Sequence, residues 1–216
     1  MELDFWLQRW TENKIGFNQL EVNPHLKSLL PKMNLAKGSF VFVPFCGKSI
    51  DMVWLQRNGF NVVGVEISDL ACLAFFEENK IQYRIESVDA FKVYKAEGIT
   101  IYQGDFFHLS AKHLFEPAAV YDRASLIALP PPMRKKYVSH MLEILPQKIR
   151  MLLLTIEYNQ NEMSGPPFSV PENEVIALYS KRFTLNKEVE FKLKQLEERF
   201  TSQGLTSMTE KIYQLF

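Results

Sequence analysis

Between Ser39 and Asn79 the chain alternates short β-branched and aromatic runs with helix-length segments, and that order admits few folds. Ser39-Phe-Val-Phe-Val43 reads as a buried strand, Pro44 to Ser49 as a turn, and Ile50 to Asn58 as a helix that Gly59 stops. Phe60 to Glu66 reads as a second strand, and Ser68 as the N-cap of a helix running to about Asn79. A β-α-β-α order means a parallel sheet with helices on both faces.

The rest of the chain extends this layout. Phe91 to Tyr94 and Ile99 to Gln103 flank Ala96-Glu97-Gly98, a hairpin turn. Ala118 to Asp122 and Met151 to Glu157 read as strands, and Pro132 to Leu145 and Pro171 to Ser180 as helices. Phe183 to Phe191 and Ser207 to Leu215 alternate as antiparallel strands do, and Glu188 to Arg199 reads as a solvated face or strand edge. The first 35 residues form a helical preface, with Leu3, Phe5, Trp6, Leu7 and Trp10 near helical spacing and Asn23-Pro24 as a cap with proline at the first helical position. No repeat or linker interrupts the chain, so one domain is expected over residues 1–216.

Composition narrows the partners. Hydrophobic residues make up 47% and charged residues 23%, the profile of a globular protein. Lys plus Arg is 25 and Asp plus Glu is 25, so no global field gathers nucleic acid or an anionic membrane. Cys46 and Cys72 are too few for a disulfide scaffold, and Met1-Glu2-Leu3-Asp4 lacks the basic start of a leader. A cytoplasmic protein is expected.

Open α/β sheets bind ligands beyond the carboxyl ends of their strands. After the first strand comes Phe45-Cys46-Gly47-Lys48-Ser49, but Phe42 stands where a phosphate loop needs its first glycine. The dinucleotide fingerprint is also absent. Gly47 still allows close backbone approach, although alone it reads as a turn glycine. Glu66 ends the second strand nineteen residues later, a spacing at which an acid accepts both hydroxyls of a ribose. A helix-capping role competes for Glu66 taken alone. Together, Gly47 and Glu66 favour a nucleoside without a pyrophosphate, such as S-adenosylmethionine.

Other strand ends hold further candidates. Asp105-Phe106 offers an acceptor and a stacking face for adenine, or an exposed acid beside a core ring. Asp122-Arg123 reads as a surface ion pair, or, in a crevice, as an anchor for an anion. Periodicity places Trp10 in a core; a lid facing a cation is the other reading. His25, His108, His113 and His140 show no metal-ligand spacing, and no serine elbow is present.

Several ordered motifs resemble those of the thiopurine S-methyltransferase family of class I S-adenosylmethionine-dependent enzymes, in its bacterial form. They are Phe5-Trp6-Leu-Gln-Arg-Trp10, Val43-Pro-Phe-Cys-Gly-Lys-Ser49 with Asp51-Met52, Val63-Gly-Val-Glu-Ile-Ser68, Gly104-Asp-Phe-Phe107, Tyr121-Asp-Arg-Ala124, and Glu157-Tyr158 with Gly165-Pro-Pro-Phe-Ser-Val-Pro171. The resemblance implies a Rossmann-like, seven-stranded, mostly parallel sheet under an N-terminal helical cover, in a monomeric cytoplasmic enzyme that needs no metal. It places cofactor contacts at Trp10, Phe45, Glu66 and Arg123, beside the candidates Gly47, Asp105 and Phe106. Position 45 is usually Leu in the family, and Asn18 stands where His is common. Phe17, Asn18, Phe168 and Arg199 become candidates for the acceptor pocket, and Arg123 for the catalytic role. The implied reaction moves the methyl of S-adenosylmethionine to an aromatic or heterocyclic thiol. Methylation of selenium or tellurium compounds or another small thiol, and cofactor binding without catalysis, are the alternatives.

Overall fold

The computed structural model describes the backbone of residues 3–216 and the side chains of residues 4–216. Met1 and Glu2 of the acidic start, and the Leu3 side chain, lie outside the described residues. The chain divides into two compact units.

The first unit runs to Tyr121 and takes in Ile144–Ile149. It begins with α1 (Leu3–Thr11) and α2 (Pro24–Leu29), followed by a short 3-10 turn over Leu30–Met33. Asn23 Oδ1 accepts from the backbone N–H groups of His25 and Leu26, so Asn23-Pro24 starts α2 as its sequence implies. Then come β1 (Phe40–Pro44), α3 (Ile50–Arg57), β2 (Asn61–Glu66) and α4 (Asp69–Glu78). Ser49 and Ser68 cap the two helices through their hydroxyls. The unit continues with β3 (Arg84–Val88), β4 (Phe91–Ala96), β5 (Ile99–Gln103) and β6 (Ala119–Asp122), which hands the chain to the second unit at Asp122.

These strands lie in the order β3-β4-β5-β2-β1-β6. β5, β2, β1 and β6 run parallel, and β3 and β4 extend the β5 edge antiparallel. Val41, Phe42, Val62, Val63 and Val65 are buried, the continuous apolar run of strands covered on both faces. Register sets Pro44 beside Val65 and Glu66 beside Gln103, so the carboxyl ends of β1, β2 and β5 line up.

Asp51, in the first turn of α3, is buried and joins three elements. Its Oδ1 accepts from the Asn23 N–H at 2.8 Å and its Oδ2 from the Tyr121 hydroxyl at 2.9 Å. Asp51→Ala removes the carboxylate that both donors bond in the interior and costs about 3 kcal/mol of stability. Urea denaturation measures this; a midpoint equal to that of the wild type contradicts it.

The second unit comprises Asp122–Glu143 and Arg150–Phe216. It holds most of α5 (Pro131–Ile144), then β7 (Arg150–Glu157), α6 (Glu172–Tyr179), β8 (Leu185–Lys192), α7 (Glu198–Thr201) and β9 (Thr209–Leu215). β9 lies between β7 and β8 and is antiparallel to both. The exposed β8 accounts for much of the charged stretch from Glu188, and α7 forms its end. Ile156, Tyr158, Met163, Phe200, Leu205 and Met208 form a local apolar core.

The α/β fold and the strands and helices named from sequence are present, with boundaries within a few residues. Nine strands are described, two more than the expected seven. β3 is the strand that no sequence signal marks. All five of its residues are at least partly exposed and, among the described strands, it pairs with β4 alone, so it carries no apolar alternation to read.

Candidate functional site

Glu66 ends β2 with its side chain buried. Its Oε2 accepts from the Gly47 N–H at 2.9 Å and its Oε1 from the Ser68 N–H at 2.8 Å. The carboxylate therefore joins the loop after β1 to the loop after β2. Gln103 Nε2, at the end of β5, donates to the Ile67 carbonyl at 2.9 Å and fixes the second loop. The Ile67 N–H also draws on this carboxylate, which leaves part of its acceptor capacity for a further donor. Burial pushes the carboxyl up to about 7, against the downward pull of the Ser68, Gly47 and Ile67 N–H groups. This pKa exceeds the ordinary value, so the unfolded chain loses its proton first as pH rises. Glu66 thus lowers folding stability progressively from about pH 4.5 to about 7. A ligand that donates hydrogen bonds to the carboxylate offsets that cost.

Gly47 sits at φ +51°, and a Cβ there would lie 3.2 Å from Trp10 Cζ2. The Trp10 indole thus packs over the turn after β1, where it is half-buried. The helical period of α1 cannot separate a core face from a covering face, because both are apolar stripes. Phe17 meets Trp10 edge-on at 5.6 Å and Trp6 at 5.5 Å between ring centroids. Asn18 follows, half-buried, with its N–H on the Ile15 carbonyl at 2.7 Å.

Phe45 takes a left-handed backbone, φ +47°, a conformation that a bulky side chain seldom adopts. Its ring meets Phe106 edge-on at 5.5 Å. Asp105 Oδ1 accepts from the Phe107 N–H at 2.9 Å and caps the short turn Phe106–His108. Asp105 is half-buried and Phe106 buried. Cys46 is buried, and desolvation pushes its thiol pKa well up, which suits packing and not nucleophilic attack. The first unit thus gathers Trp10, Phe17, Gly47 and Glu66 at one turn, with Phe45, Asp105 and Phe106 at the adjoining strand ends.

The second unit carries the other candidates. Asp122 is fully buried; its Oδ2 accepts from the Tyr137 hydroxyl at 2.7 Å and its Oδ1 from the Ser125 N–H at 3.2 Å. Burial raises its pKa. Asp122 is a buried anchor, which corrects the reading of Asp122-Arg123 as a surface ion pair. Arg123, half-buried, begins the turn that Asp122 holds.

Phe168 is half-buried and its N–H donates to the Ile127 carbonyl at 2.7 Å. Its ring lies over Gly165 so closely that a Cβ there would sit 2.6 Å from Phe168 Cδ1. Arg199, on α7, pairs with Glu197 at 2.8 Å and stacks over Phe200 at 4.4 Å, so its guanidinium is engaged beside the local apolar core.

A cavity of about 440 Å³ opens at the β3–β5 edge, lined by Tyr83, Arg84, Lys95 and Glu97 among others; it holds none of these candidates. Among the described residues, no group of three or more His, Cys, Asp or Glu side chains is placed to hold a metal ion. Among them, too, no helix is long and apolar enough to cross a membrane.

A sequence model described as thiopurine S-methyltransferase matches residues 1–216. A thiopurine S-methyltransferase of Nitrosospira multiformis is 46% identical over 215 residues, covering 100% of this chain and 98% of the relative. One from Pseudomonas aeruginosa is 42% identical, with 100% and 99% covered. Among solved structures, a Burkholderia thailandensis 1,6-didemethyltoxoflavin-N1-methyltransferase with bound S-adenosylhomocysteine has a TM-score of 0.65 at 12% identity, covering 99% of this chain and 85% of its own. A SAM-dependent methyltransferase from Anabaena variabilis has a TM-score of 0.61 at 12% identity, with 99% and 93% covered. At such identities the structures speak for the Rossmann-like fold alone.

Proposed function

The chain belongs to the thiopurine S-methyltransferase family, and from that membership we infer that it carries the methyl group of S-adenosylmethionine to the sulfur of an aromatic or heterocyclic thiol such as a thiopurine. The observation that best supports this within the molecule is the junction of Glu66, Gly47 and Trp10. A buried carboxylate with acceptor capacity to spare suits a ribose hydroxyl edge, and the glycine turn under an indole suits an aliphatic tail that carries a cation. The residues present therefore fit the nucleoside donor.

When bound, S-adenosylmethionine supplies an electrophilic sulfonium methyl. The chain's work is then binding and alignment. In this reading Glu66 accepts the ribose hydroxyls, Gly47 admits the amino-acid tail, and the Trp10 face favours the positive charge. Phe45, Asp105 and Phe106 border the base. Phe17 and Asn18 are the first unit's candidates for contact with the acceptor, and Phe168 and Arg199 are those of the second unit. Arg123 steadies the acceptor as an anion. Heterocyclic and aromatic thiols ionise more readily than alkyl thiols, so Asn18 need not titrate. Alignment and exclusion of water from the thiolate supply the rate. The proposed catalytic domain spans residues 1–216 and acts as a cytoplasmic monomer.

An acceptor panel tests the substrate class. With a thiopurine, thiophenol, an alkyl thiol and a selenol, kcat/KM for the first two exceeds that for the alkyl thiol at least about tenfold. A selenol preferred over every thiol contradicts the assignment. Donor binding also depends on pH. Hydroxyls that donate to Glu66 favour its charged form, so affinity for S-adenosylhomocysteine is full above pH 7 and weakens below it, by up to about tenfold per unit. Calorimetry at about pH 6 and about pH 8 reads this as a tighter complex at the higher pH and proton release at the lower. Equal affinities without proton release contradict the role of Glu66.

A further inference from the structure

Arg134 is the largest of the fully buried side chains. It stands in the first turn of α5, where the helix dipole disfavours a cation. A buried guanidinium is also costly unless every part of it is engaged. Here it is engaged on three sides. Nε donates to the Leu129 carbonyl at 2.8 Å, one terminal nitrogen to the Ser169 carbonyl at 2.9 Å, and the other to Glu174 Oε2 at 2.6 Å.

Those partners belong to two loops and a helix. Leu129 closes the segment that follows Arg123, Ser169 follows Phe168, and Glu174 lies in the first turn of α6. The loop before α6 reads Gly165-Pro-Pro-Phe-Ser-Val-Pro171. Its prolines have no N–H, so it cannot join a strand ladder. Side chains hold it instead. The Tyr158 hydroxyl donates to the Pro167 carbonyl at 2.6 Å, Gln160 Oε1 accepts from the Ser169 N–H at 2.9 Å, and Arg134 takes the Ser169 carbonyl. The Phe168 N–H bonds directly to the Ile127 carbonyl. Arg134 thus ties together the two segments that this contact joins.

We propose that Arg134 is a positioning residue for methyl transfer: its fork fixes the 127–129 and 167–169 segments against each other and so sets the place of the Phe168 ring against the acceptor. This rests on the reading of Phe168 as an acceptor wall. A planar fork with donors at fixed angles meets three acceptors at once, and a lysine ammonium at the same site cannot reproduce that span.

Steady-state kinetics with a thiopurine test the proposal. Arg134→Lys raises the acceptor KM about tenfold, while kcat and the Kd for S-adenosylhomocysteine stay within about threefold. A fall in kcat at unchanged KM marks a loss of folded enzyme only and overturns the proposal. Combining Arg134→Lys with Phe168→Ala raises KM little beyond Phe168→Ala alone, because Arg134 acts through that ring; full additivity overturns the proposal. If Arg134→Lys does not fold, Tyr158→Phe loosens the same loop without a change of charge and raises KM in the same direction; an unchanged KM counts against positioning. Phe168→Ala alone separates the two levels. If it leaves KM unchanged, the acceptor-wall reading fails. If it raises KM and Arg134→Lys does not, the wall stands and the positioning role fails.

Discussion

Glu66→Ala lowers affinity for S-adenosylhomocysteine about a hundredfold, the loss of two charge-assisted hydrogen bonds reduced by their exchange with water. The effect is large because the carboxylate serves twice. It faces the ribose in the proposed complex, and it already joins the loops after β1 and β2 through the N–H groups of Gly47 and Ser68. Alanine removes both functions, so part of the loss arises from a loosened turn. Glu66→Gln separates them. The amide is nearly isosteric but uncharged, and it accepts through one oxygen in place of two. It should bind more tightly than the alanine variant, and its affinity should no longer change near pH 7, since the titrating group is gone. Calorimetric titration of the three proteins measures both. An alanine variant within threefold of the wild type would remove Glu66 from the donor site.

Arg123→Ala lowers kcat/KM for a thiopurine about a hundredfold while stability changes by about 0.5 kcal/mol or less. The contrast follows from where the residue sits. Its neighbour Asp122 is fully buried and bonded to Tyr137 and Ser125, so the turn keeps its anchor when the Arg123 side chain is cut. What the reaction loses is a cation beside a thiolate. Such a cation favours ionisation of the bound thiol, so the pH profile of kcat in the variant moves about one unit towards higher pH. Arg123→Lys retains the charge and recovers part of the rate. A well-folded alanine variant with wild-type turnover and an unmoved profile would exclude the role.

The βαβα core is legible because burial on both faces forces continuous apolar runs such as Val41 to Val43. Legible for a related reason is the partnership of Gly47 and Glu66. One crossover helix joins adjacent parallel strands, so their carboxyl ends recur at a near-constant spacing. The edge strand β3 is hidden because it has one partner and scant apolar burial. Asp122 is misjudged from sequence because an Asp-Arg pair looks alike exposed or buried; the Tyr137 hydroxyl that bonds its carboxylate beside the Ser125 N–H lies fifteen residues on. Arg134 leaves no local sign at all. Its partners lie five, thirty-five and forty residues away, and in sequence it resembles any basic residue at the start of a helix. Trp10 shows where periodicity ends: an apolar helical stripe states that a face is covered, not what covers it.

The most direct test of the central claim is a mass-spectrometric assay of the full chain with methyl-labelled S-adenosylmethionine and a thiopurine. The account predicts that the label appears on the thiopurine sulfur, with one S-adenosylhomocysteine formed for each molecule methylated. Donor binding without labelled product would show a cofactor-binding protein on this fold and would contradict the assignment of methyl transfer.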